Sequence, residues 1–184
     1  MLDGLLVQAP SREVQSWGEA TNLNGMAEKI ILLAEDSQDD QILFKRVLSK
    51  VGILNPVYVV PDGAQALAYL KGEGEFCVRE RYPLPDVLVL DIRMPKVDGF
   101  ELLAWVQGQP HLNRLLRIVL TQLDQIDDIE SAYKLGADTF LIKPLQSAEM
   151  VNLVTFYHGY WTLQAAPSPS PAPLPQPSEK RETA

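Results

Sequence analysis

The sequence predicts a doubly wound α/β fold, in which helices cover both faces of a parallel sheet. Residues 30–34 and 87–90 are apolar without interruption, and such runs are typical of strands buried on both faces of a parallel sheet. Strand-like and helix-like segments alternate five times along the chain. This alternation favours β-α units joined by right-handed crossovers. A chain of 184 residues suffices for one such domain with flanking segments.

The first half of the chain carries clear boundary signals. The strand at residues 30–34 ends in Glu35 and Asp36, and Ser37 with Asp40 resembles the capping box that begins a helix. That helix has an apolar stripe of Leu43, Val47, Leu48 and Val51 and ends at Gly52. A second strand is expected at residues 57–60, followed by a helix that begins near Asp62 and a charged loop at residues 71–85.

The second half of the chain repeats the pattern. The predicted strands are residues 87–90, 115–120 and 140–142, and the predicted helices are residues 99–107, 126–135 and 147–163. Gly136 occupies the position of a helix C-cap. We expect a flexible N-terminal arm at residues 1–27, a folded domain at residues 28–164 and a disordered proline-rich tail at residues 165–184, with no second domain. We also expect that translation begins at Met26.

The composition excludes several classes of protein. A formal net charge of −8 argues against nucleic acid as a partner, because phosphate neutralisation needs clustered Lys and Arg. No apolar run approaches the roughly 20 residues that span a bilayer. Cys77 is the single cysteine, which excludes an internal disulfide and a cysteine zinc cluster. The first residues lack a secretory signal, so we expect a cytoplasmic protein that binds neither nucleic acid nor membrane.

Functional side chains follow four of the predicted strands. Glu35 and Asp36 follow the first strand, Asp91 the third, Thr121 the fourth and Lys143 the fifth. The carboxyl ends of parallel strands meet at one edge of the sheet, where open α/β sheets bind ligands. One acid at a strand end is usually a solvated turn residue, but three acids, a hydroxyl and an amine together favour a functional site.

The charges of these residues indicate a chemistry. Carboxylates near 4 Å apart repel by roughly 4 kcal/mol per pair at an effective dielectric constant of 20. Mg²⁺ relieves this repulsion and prefers oxygen ligands. Phosphoryl transfer to Asp91 would then form an acyl phosphate. Lys143 can place a positive charge, and Thr121 a hydroxyl hydrogen bond, against the phosphoryl oxygens.

Four sequence motifs carry a resemblance to a known family. ILLAED ends at Asp36, VLVLDIRMP contains Asp91, LT ends at Thr121, and FLIKP contains Lys143. In this order and spacing they resemble the receiver domain of two-component response regulators, over residues 29–163. The resemblance implies a flavodoxin-like receiver fold with a five-stranded sheet of order 2-1-3-4-5. It also implies that Asp91 is the phosphoacceptor for a phosphohistidine on a sensor histidine kinase or phosphotransfer protein.

The resemblance assigns further roles. Glu35 and Asp36 would bind Mg²⁺ together with Asp91 and the backbone carbonyl of Arg93. Thr121 and Lys143 would contact the phosphoryl group. In the family, the threonine moves toward the phosphate and an aromatic residue turns inward, which remodels the surface of the fourth helix, fifth strand and fifth helix. Phe140 occupies the position of that switch aromatic, and the peptide bond before Pro144 is expected to be cis.

Three alternatives compete with a phosphorylated receiver. A phosphatase of the haloacid-dehalogenase type needs a second aspartate two residues after the nucleophile, where this chain has Arg93. A flavin-binding protein of similar fold needs a hydroxyl- and glycine-rich phosphate loop after the first strand, where Glu35 and Asp36 would repel the flavin phosphate. A degenerate receiver that acts as a phosphorylation-independent scaffold is the closest alternative. We expect no enzyme activity beyond self-phosphorylation and dephosphorylation.

The last predicted helix carries more apolar residues than one core-facing stripe needs. Its apolar positions include Tyr157 and Trp161 and cover an arc of roughly 240°, against somewhat more than 100° for a stripe. We therefore expect a homodimer or kinase interface along this helix, with burial under the N-terminal arm as the alternative. The ending FYHGYWTL and the loop at residues 71–85 resemble stand-alone receivers of the phytochrome-associated type.

Overall fold

The computed structural model describes residues 29–122 and 126–164. Its parallel sheet has five strands in the order β2-β1-β3-β4-β5, so both the predicted fold class and the strand order are confirmed. The strands are β1 (Ile31–Ala34), β2 (Val57–Val60), β3 (Val87–Asp91), β4 (Leu116–Thr121) and β5 (Thr139–Ile142). The helices are α1 (Gln38–Val51), α2 (Gly63–Lys71), α3 (Gly99–Gln107), α4 (Ile126–Lys134) and α5 (Ser147–Phe156).

The predicted N-terminal arm, including Met26, and the predicted tail at residues 165–184 lie outside the described residues. Short 3-10 helices occupy Gly74–Cys77, Pro110–Leu112 and His158–Tyr160. None of the helices in residues 29–122 and 126–164 is long and apolar enough to cross a membrane.

The hydrophobic core has two halves, one on each face of the sheet. Leu88 and Leu90 of β3 belong to the half that contains α2 and α3, whereas Val87 and Val89 belong to the half that contains α1 and α5. All four side chains are fully buried. Because successive side chains of a strand point to opposite faces, burial on both faces explains why this run shows no polar alternation.

Local signals fix the ends of the helices. The Ser37 hydroxyl accepts a hydrogen bond from the backbone N–H of Asp40 at 3.3 Å, which caps α1. Gly52 ends α1 with φ = 83°, in the left-handed region that glycine enters without steric cost. Asp98 and Glu101 form a complete capping box at the start of α3. In α1 the box forms only on the Ser37 side, because the Asp40 carboxylate points elsewhere.

The last helix is shorter than the sequence predicts. Instead of reaching residue 163, α5 ends at Phe156, and Leu163 forms an antiparallel bridge with Ile53. The intervening segment is held by Asn55, whose amide donates to the backbone carbonyl of Tyr160 at 2.9 Å. The Asn55 side-chain oxygen accepts from the N–H of Thr162 at 2.7 Å. These contacts satisfy backbone groups that a longer helix would have paired internally.

β4 contains a charged residue in the core. Arg117 is only 1% exposed, and its Nε lies 3.5 Å from the Asp138 carboxylate. The same carboxylate accepts from the Arg117 backbone N–H at 2.8 Å. Tyr157 of the segment after α5 donates its hydroxyl to the Asp138 carbonyl at 3.0 Å, and burial raises the pKa of Tyr157 to about 12. A buried guanidinium is tolerated here because it is paired.

Candidate functional site

Three carboxylates converge at the carboxyl edge of the sheet. In the β1–β3 pairing Ala34 lies opposite Leu90, so the next residues, Glu35 and Asp91, lie on adjacent strand ends. Asp36 follows Glu35, and one oxygen from each of the three carboxylates lies within 4.8 Å of the others. The sheet register alone therefore brings these negative charges together, as the sequence predicts.

Lys143 reaches this cluster from the end of β5. Its Nζ atom lies 2.7 Å from Glu35 Oε2, 2.8 Å from Asp91 Oδ2 and 3.0 Å from Asp40 Oδ2. The lysine side chain is 11% exposed. The ammonium group donates hydrogen bonds to Asp91 and Asp40, whereas Glu35 Oε2 is held only by the ion pair, so three carboxylates surround one cation.

Burial and charge shift the pKa values of two groups in this cluster. Glu35 is fully buried, and the loss of hydration, with a further contribution from the nearby Asp91 charge, raises the pKa of its carboxyl despite the opposing effect of Lys143. Burial alone would lower the pKa of Lys143, but its contacts with Asp91 and Glu35 outweigh this and raise it. The lysine is therefore held as a cation within an excess of negative charge.

Both oxygens of Asp91 are held by hydrogen bonds. Oδ1 accepts from the backbone N–H of Arg93 at 3.2 Å, and Oδ2 accepts from Lys143 at 2.8 Å. The residue is 8% exposed, which places the carboxylate just beneath the surface. Arg93 lies in the adjacent loop, residues 92–98, two residues after Asp91. Its guanidinium pairs with Asp128 of α4 at 2.6 Å.

Two glycines allow this loop to pack closely against its surroundings. A Cβ atom on Gly99 would lie 2.5 Å from the carbonyl oxygen of Asp91, and one on Gly63 would lie 2.1 Å from the carbonyl oxygen of Val97. Real Cβ atoms essentially never approach another atom this closely. The position of the Asp91 backbone therefore depends on glycine at residue 99.

An ion pair also fastens the loop to α2. Lys96 Nζ lies 2.6 Å from Asp62 Oδ2, while Asp62 Oδ1 accepts from the backbone N–H of Gln65 at 2.8 Å. Burial alone would raise the pKa of Asp62, but the hydrogen bonds from Lys96 and the helix N-terminus outweigh this and lower it. The ionised carboxylate thus caps α2 and holds the loop together.

The remaining predicted site residues lie on β4, on β5 and just after β5. Thr121 ends β4 and is 1% exposed, and its hydroxyl lies 3.3 Å from the carbonyl oxygen of Gln122. Phe140 of β5 is half-buried and packs edge-on against Tyr133 of α4, with ring centroids 6.2 Å apart. The Lys143–Pro144 peptide bond is cis.

The donor set suits a hard divalent cation. Glu35, Asp36 and Asp91 offer only carboxylate oxygens, the ligand type that Mg²⁺ and Mn²⁺ share. Glu35 is fully buried beside Asp91 and its Oε2 atom has no hydrogen-bond partner, so negative charge is costly here and a cation would offset that cost. The residues present therefore fit a metal site, with Lys143 as the positive group already in place.

A comparison with protein families decides the identity of the chain. The family model described as the response regulator receiver domain matches residues 31–155. This chain belongs to the response regulator receiver family. The match covers all five strands and α1 to α4 together with nearly all of α5, and the predicted resemblance is confirmed. The chain is therefore a protein of two-component signalling.

Individual receiver proteins resemble the chain over most of its length. Response regulator Rcp1 of Synechocystis sp. is 34% identical over 142 residues, which cover 75% of this chain and 95% of the relative. The crystal structure of the Mn²⁺-bound form of Rcp1 has a TM-score of 0.62 and 35% identity, and it covers 74% of this chain and 99% of that chain. The crystal structure of the phosphorylated cyanobacterial phytochrome response regulator RcpA has a TM-score of 0.61 and 32% identity. It covers 76% of this chain and 100% of that chain.

Two contacts near this receiver site do not follow from the sequence. The sequence pattern assigns Asp40 to a helix cap, but its carboxylate binds Lys143. Asp62 is predicted only to begin a helix, but it also pairs with Lys96. Asp40 lies 103 residues before Lys143, and Asp62 lies 34 residues before Lys96. No local spacing therefore identifies either pair.

Proposed function

We propose that this chain is a single-domain response regulator that accepts a phosphoryl group on Asp91 in a magnesium-dependent reaction. The observation that carries the proposal is the placement of Asp91 at the carboxyl edge of the sheet, with Lys143 on one of its oxygens and two further acids beside it. The receiver domain would span residues 28–164. The phosphoryl donor would be a sensor histidine kinase or a phosphotransfer protein, as is general for receiver domains.

Glu35, Asp36, Asp91 and the Arg93 carbonyl would hold Mg²⁺, which when bound neutralises charge on the transferred phosphoryl group. Support comes from the cluster of carboxylate oxygens within 4.8 Å and from the Mn²⁺-bound form of the similar protein Rcp1.

The chain's own residues account for the transfer. An oxygen of Asp91 attacks the phosphorus of the donor phosphohistidine, the P–N bond breaks, and the P–O bond of an acyl phosphate forms. The Lys143 ammonium stabilises the negative charge on the phosphoryl oxygens. The Thr121 hydroxyl donates a hydrogen bond to one of these oxygens. The leaving imidazole retains the electron pair of the broken bond.

The direct test uses a small phosphoryl donor. With acetyl phosphate and Mg²⁺, intact-mass measurement of the purified full chain should show the gain of one phosphoryl group. A chelator of divalent cations should abolish the gain, because the crowded carboxylates would then repel the donor. A wild-type protein that takes up no phosphate would instead support a phosphorylation-independent scaffold.

Phosphorylation would change the surface formed by α4, β5 and α5. We propose that Thr121 moves toward the phosphoryl group and that Phe140 then turns into the space it leaves. Phe140 already contacts Tyr133 of α4, so its rotation would be transmitted directly to that helix. The surface of α4, β5 and α5 is therefore the proposed output of the switch.

A groove beside the site is the proposed docking surface for the phosphoryl donor. It has a volume of about 500 Å³ and lies between α1 and the start of α5. Its lining combines buried Val47 and Leu145 with exposed Arg46 and Lys50. Leu145 follows Lys143 by two residues, so a protein seated in the groove would lie next to Asp91. The basic rim would favour an acidic donor surface.

Reversal of the two rim charges should weaken this docking. We expect Arg46→Glu combined with Lys50→Glu to lower kcat/KM for phosphotransfer from a phosphorylated histidine kinase by about tenfold. The rate with acetyl phosphate should stay unchanged, because that donor needs no docking surface. Lys45→Glu is the matched control, since Lys45 is exposed on the same helix and does not line the groove. An equal loss with both donors would contradict the assignment.

We further propose a homodimer through α5. The structure buries Trp161 at 8% exposure, but it leaves Phe156 70% and Val151 48% exposed, and these two residues would centre the interface. We expect Phe156→Glu to raise the dimer dissociation constant by at least about tenfold, measured by analytical ultracentrifugation. Val78→Glu, at an apolar residue that is 49% exposed in another part of the chain, should leave it unchanged. A wild-type protein that stays monomeric throughout would refute the dimer.

A further inference from the structure

We infer that Asp40 is a positioning residue that holds the Lys143 ammonium in the resting protein and releases one of its N–H groups to the incoming phosphoryl oxygen. This inference rests on the proposed phosphorylation of Asp91 and adds a residue to that reaction. The carboxylate of Asp40 lies 3.0 Å from Lys143 Nζ. Asp40 itself would touch neither the phosphoryl donor nor Asp91, so it would act entirely through the lysine.

Three carboxylates already crowd the resting lysine. Its ammonium group donates hydrogen bonds to Asp91 and Asp40, and it forms an ion pair with Glu35 Oε2, which lies 2.7 Å away but accepts no hydrogen bond. A phosphoryl oxygen that approaches the ammonium group must therefore displace one of these carboxylates. The reaction requires an exchange of partners at the ammonium group.

The contact with Asp40 is the one most readily exchanged. It is the longest of the three, at 3.0 Å against 2.7 Å for Glu35 and 2.8 Å for Asp91. The Asp40 side chain is also 34% exposed, whereas those of Glu35 and Asp91 are 1% and 12% exposed. Water can replace the lysine at an exposed carboxylate, but a buried carboxylate that loses its partner bears the full cost of desolvation.

The fold fixes Asp40 for this contact. The Ser37 hydroxyl holds the backbone N–H of Asp40 in the first turn of α1. The Asp40 carboxylate does not complete the capping box, because the backbone N–H of Ser37 donates to Glu35 Oε1 at 3.1 Å instead. Within residues 29–122 and 126–164, Lys143 is the only basic side chain paired with Asp40. The carboxylate is thus committed to the lysine.

Removal of the Asp40 charge should make Lys143 available before the donor arrives. In steady-state phosphorylation by acetyl phosphate at saturating Mg²⁺, we expect Asp40→Asn to lower KM by about three- to tenfold, because a charged competitor for the ammonium is replaced by a weaker neutral one. The value of kcat should stay within about twofold. Asp40→Glu keeps the carboxylate and should stay close to wild type. A purely structural role for Asp40 would lower the melting temperature without lowering KM.

Asp39→Asn is the matched control, because Asp39 is an exposed acid in the same first turn and has no ion pair among the described residues. It should leave KM unchanged. An unchanged or raised KM in Asp40→Asn would overturn the inference, as would an equal fall in Asp39→Asn, which would indicate a general charge effect. If wild type takes up no phosphate, the proposed function itself fails and this inference fails with it. A phosphorylated wild type with an unresponsive Asp40→Asn would overturn the inference alone.

Discussion

Asp91→Asn should abolish phosphorylation of the protein by acetyl phosphate and Mg²⁺. The amide has nearly the same shape as the carboxylate, but its neutral oxygen is a poor nucleophile and cannot form a stable acyl phosphate. Intact-mass measurement should therefore show one added phosphoryl group in wild type and none in the variant. This is the largest effect we expect, because it removes the reacting atom.

The variant should remain folded. Asp91→Asn removes one of the charges that raise the pKa of Glu35 and leaves Lys143 with the carboxylates of Glu35 and Asp40. Thermal unfolding should verify this before the mass measurement is interpreted. The matched control is Asp39→Asn on the exposed side of α1, which should accept phosphate as wild type does. Phosphate retained at full stoichiometry in Asp91→Asn would place the nucleophile on another residue.

Gly99→Ala should damage the site without altering any charged group. The new Cβ atom would lie 2.5 Å from the carbonyl oxygen of Asp91 and 2.8 Å from the Cα atom of Ile92. Both are backbone atoms at the end of a buried strand, so the clash must displace either the Asp91 backbone or the start of α3 that packs against it. Overpacking of this kind costs about 1–3 kcal/mol, or a fall in melting temperature of roughly 2–12 °C.

The phosphorylation rate of Gly99→Ala should fall by more than its loss of folding stability alone would explain. A displacement of about 1 Å at a reacting group can lower a rate by about 100-fold, so we expect phosphorylation by acetyl phosphate to slow by about 10- to 100-fold in Gly99→Ala. Gly108→Ala is the matched control, since its Cβ atom would meet nothing closer than 3.5 Å. Similar rates in the two alanine variants would show that the close approach at Gly99 does not position Asp91.

The fold could be predicted from the sequence because its strongest signals are local. The uninterrupted apolar run of β3 indicates burial on both faces, and the structure places Val87 and Leu88 in opposite halves of the core. Ser37, Gly52 and Gly136 mark helix ends through the chemistry of their own side chains or the lack of one. Such signals need no knowledge of distant partners.

Contacts between distant residues could not be predicted in this way. The end of α5 depends on Asn55, whose side-chain oxygen accepts a hydrogen bond from the backbone N–H of Thr162. These two residues are 107 positions apart in the chain. Arg117 interrupts the apolar pattern of β4, yet the structure buries it beside Asp138. Neither partner can be identified from spacing, because both depend on how separate elements pack.

Part of the candidate site could be predicted from the sequence, because it follows from the order of the strands. The sheet order places Glu35 and Asp91 on neighbouring strand ends, so their proximity follows from topology alone. Whether Asp40 becomes the third partner of Lys143 depends on the direction in which the Asp40 side chain points. The carboxylate of Asp40 could turn toward its own helix end or toward β5, and the sequence contains no signal that distinguishes the two.

The contacts of Asn55 also determine where the domain's two flanking segments are attached. Its amide binds the carbonyl of Lys29 at 2.8 Å as well as that of Tyr160. The first and last described stretches therefore leave the domain side by side, at the amino edge of the sheet. Asp91 opens on the opposite edge, about four strand residues or roughly 13 Å away. An affinity tag or fluorescent reporter joined directly at residue 29 or at residue 164 would thus be attached on the far side from the phosphoryl entrance.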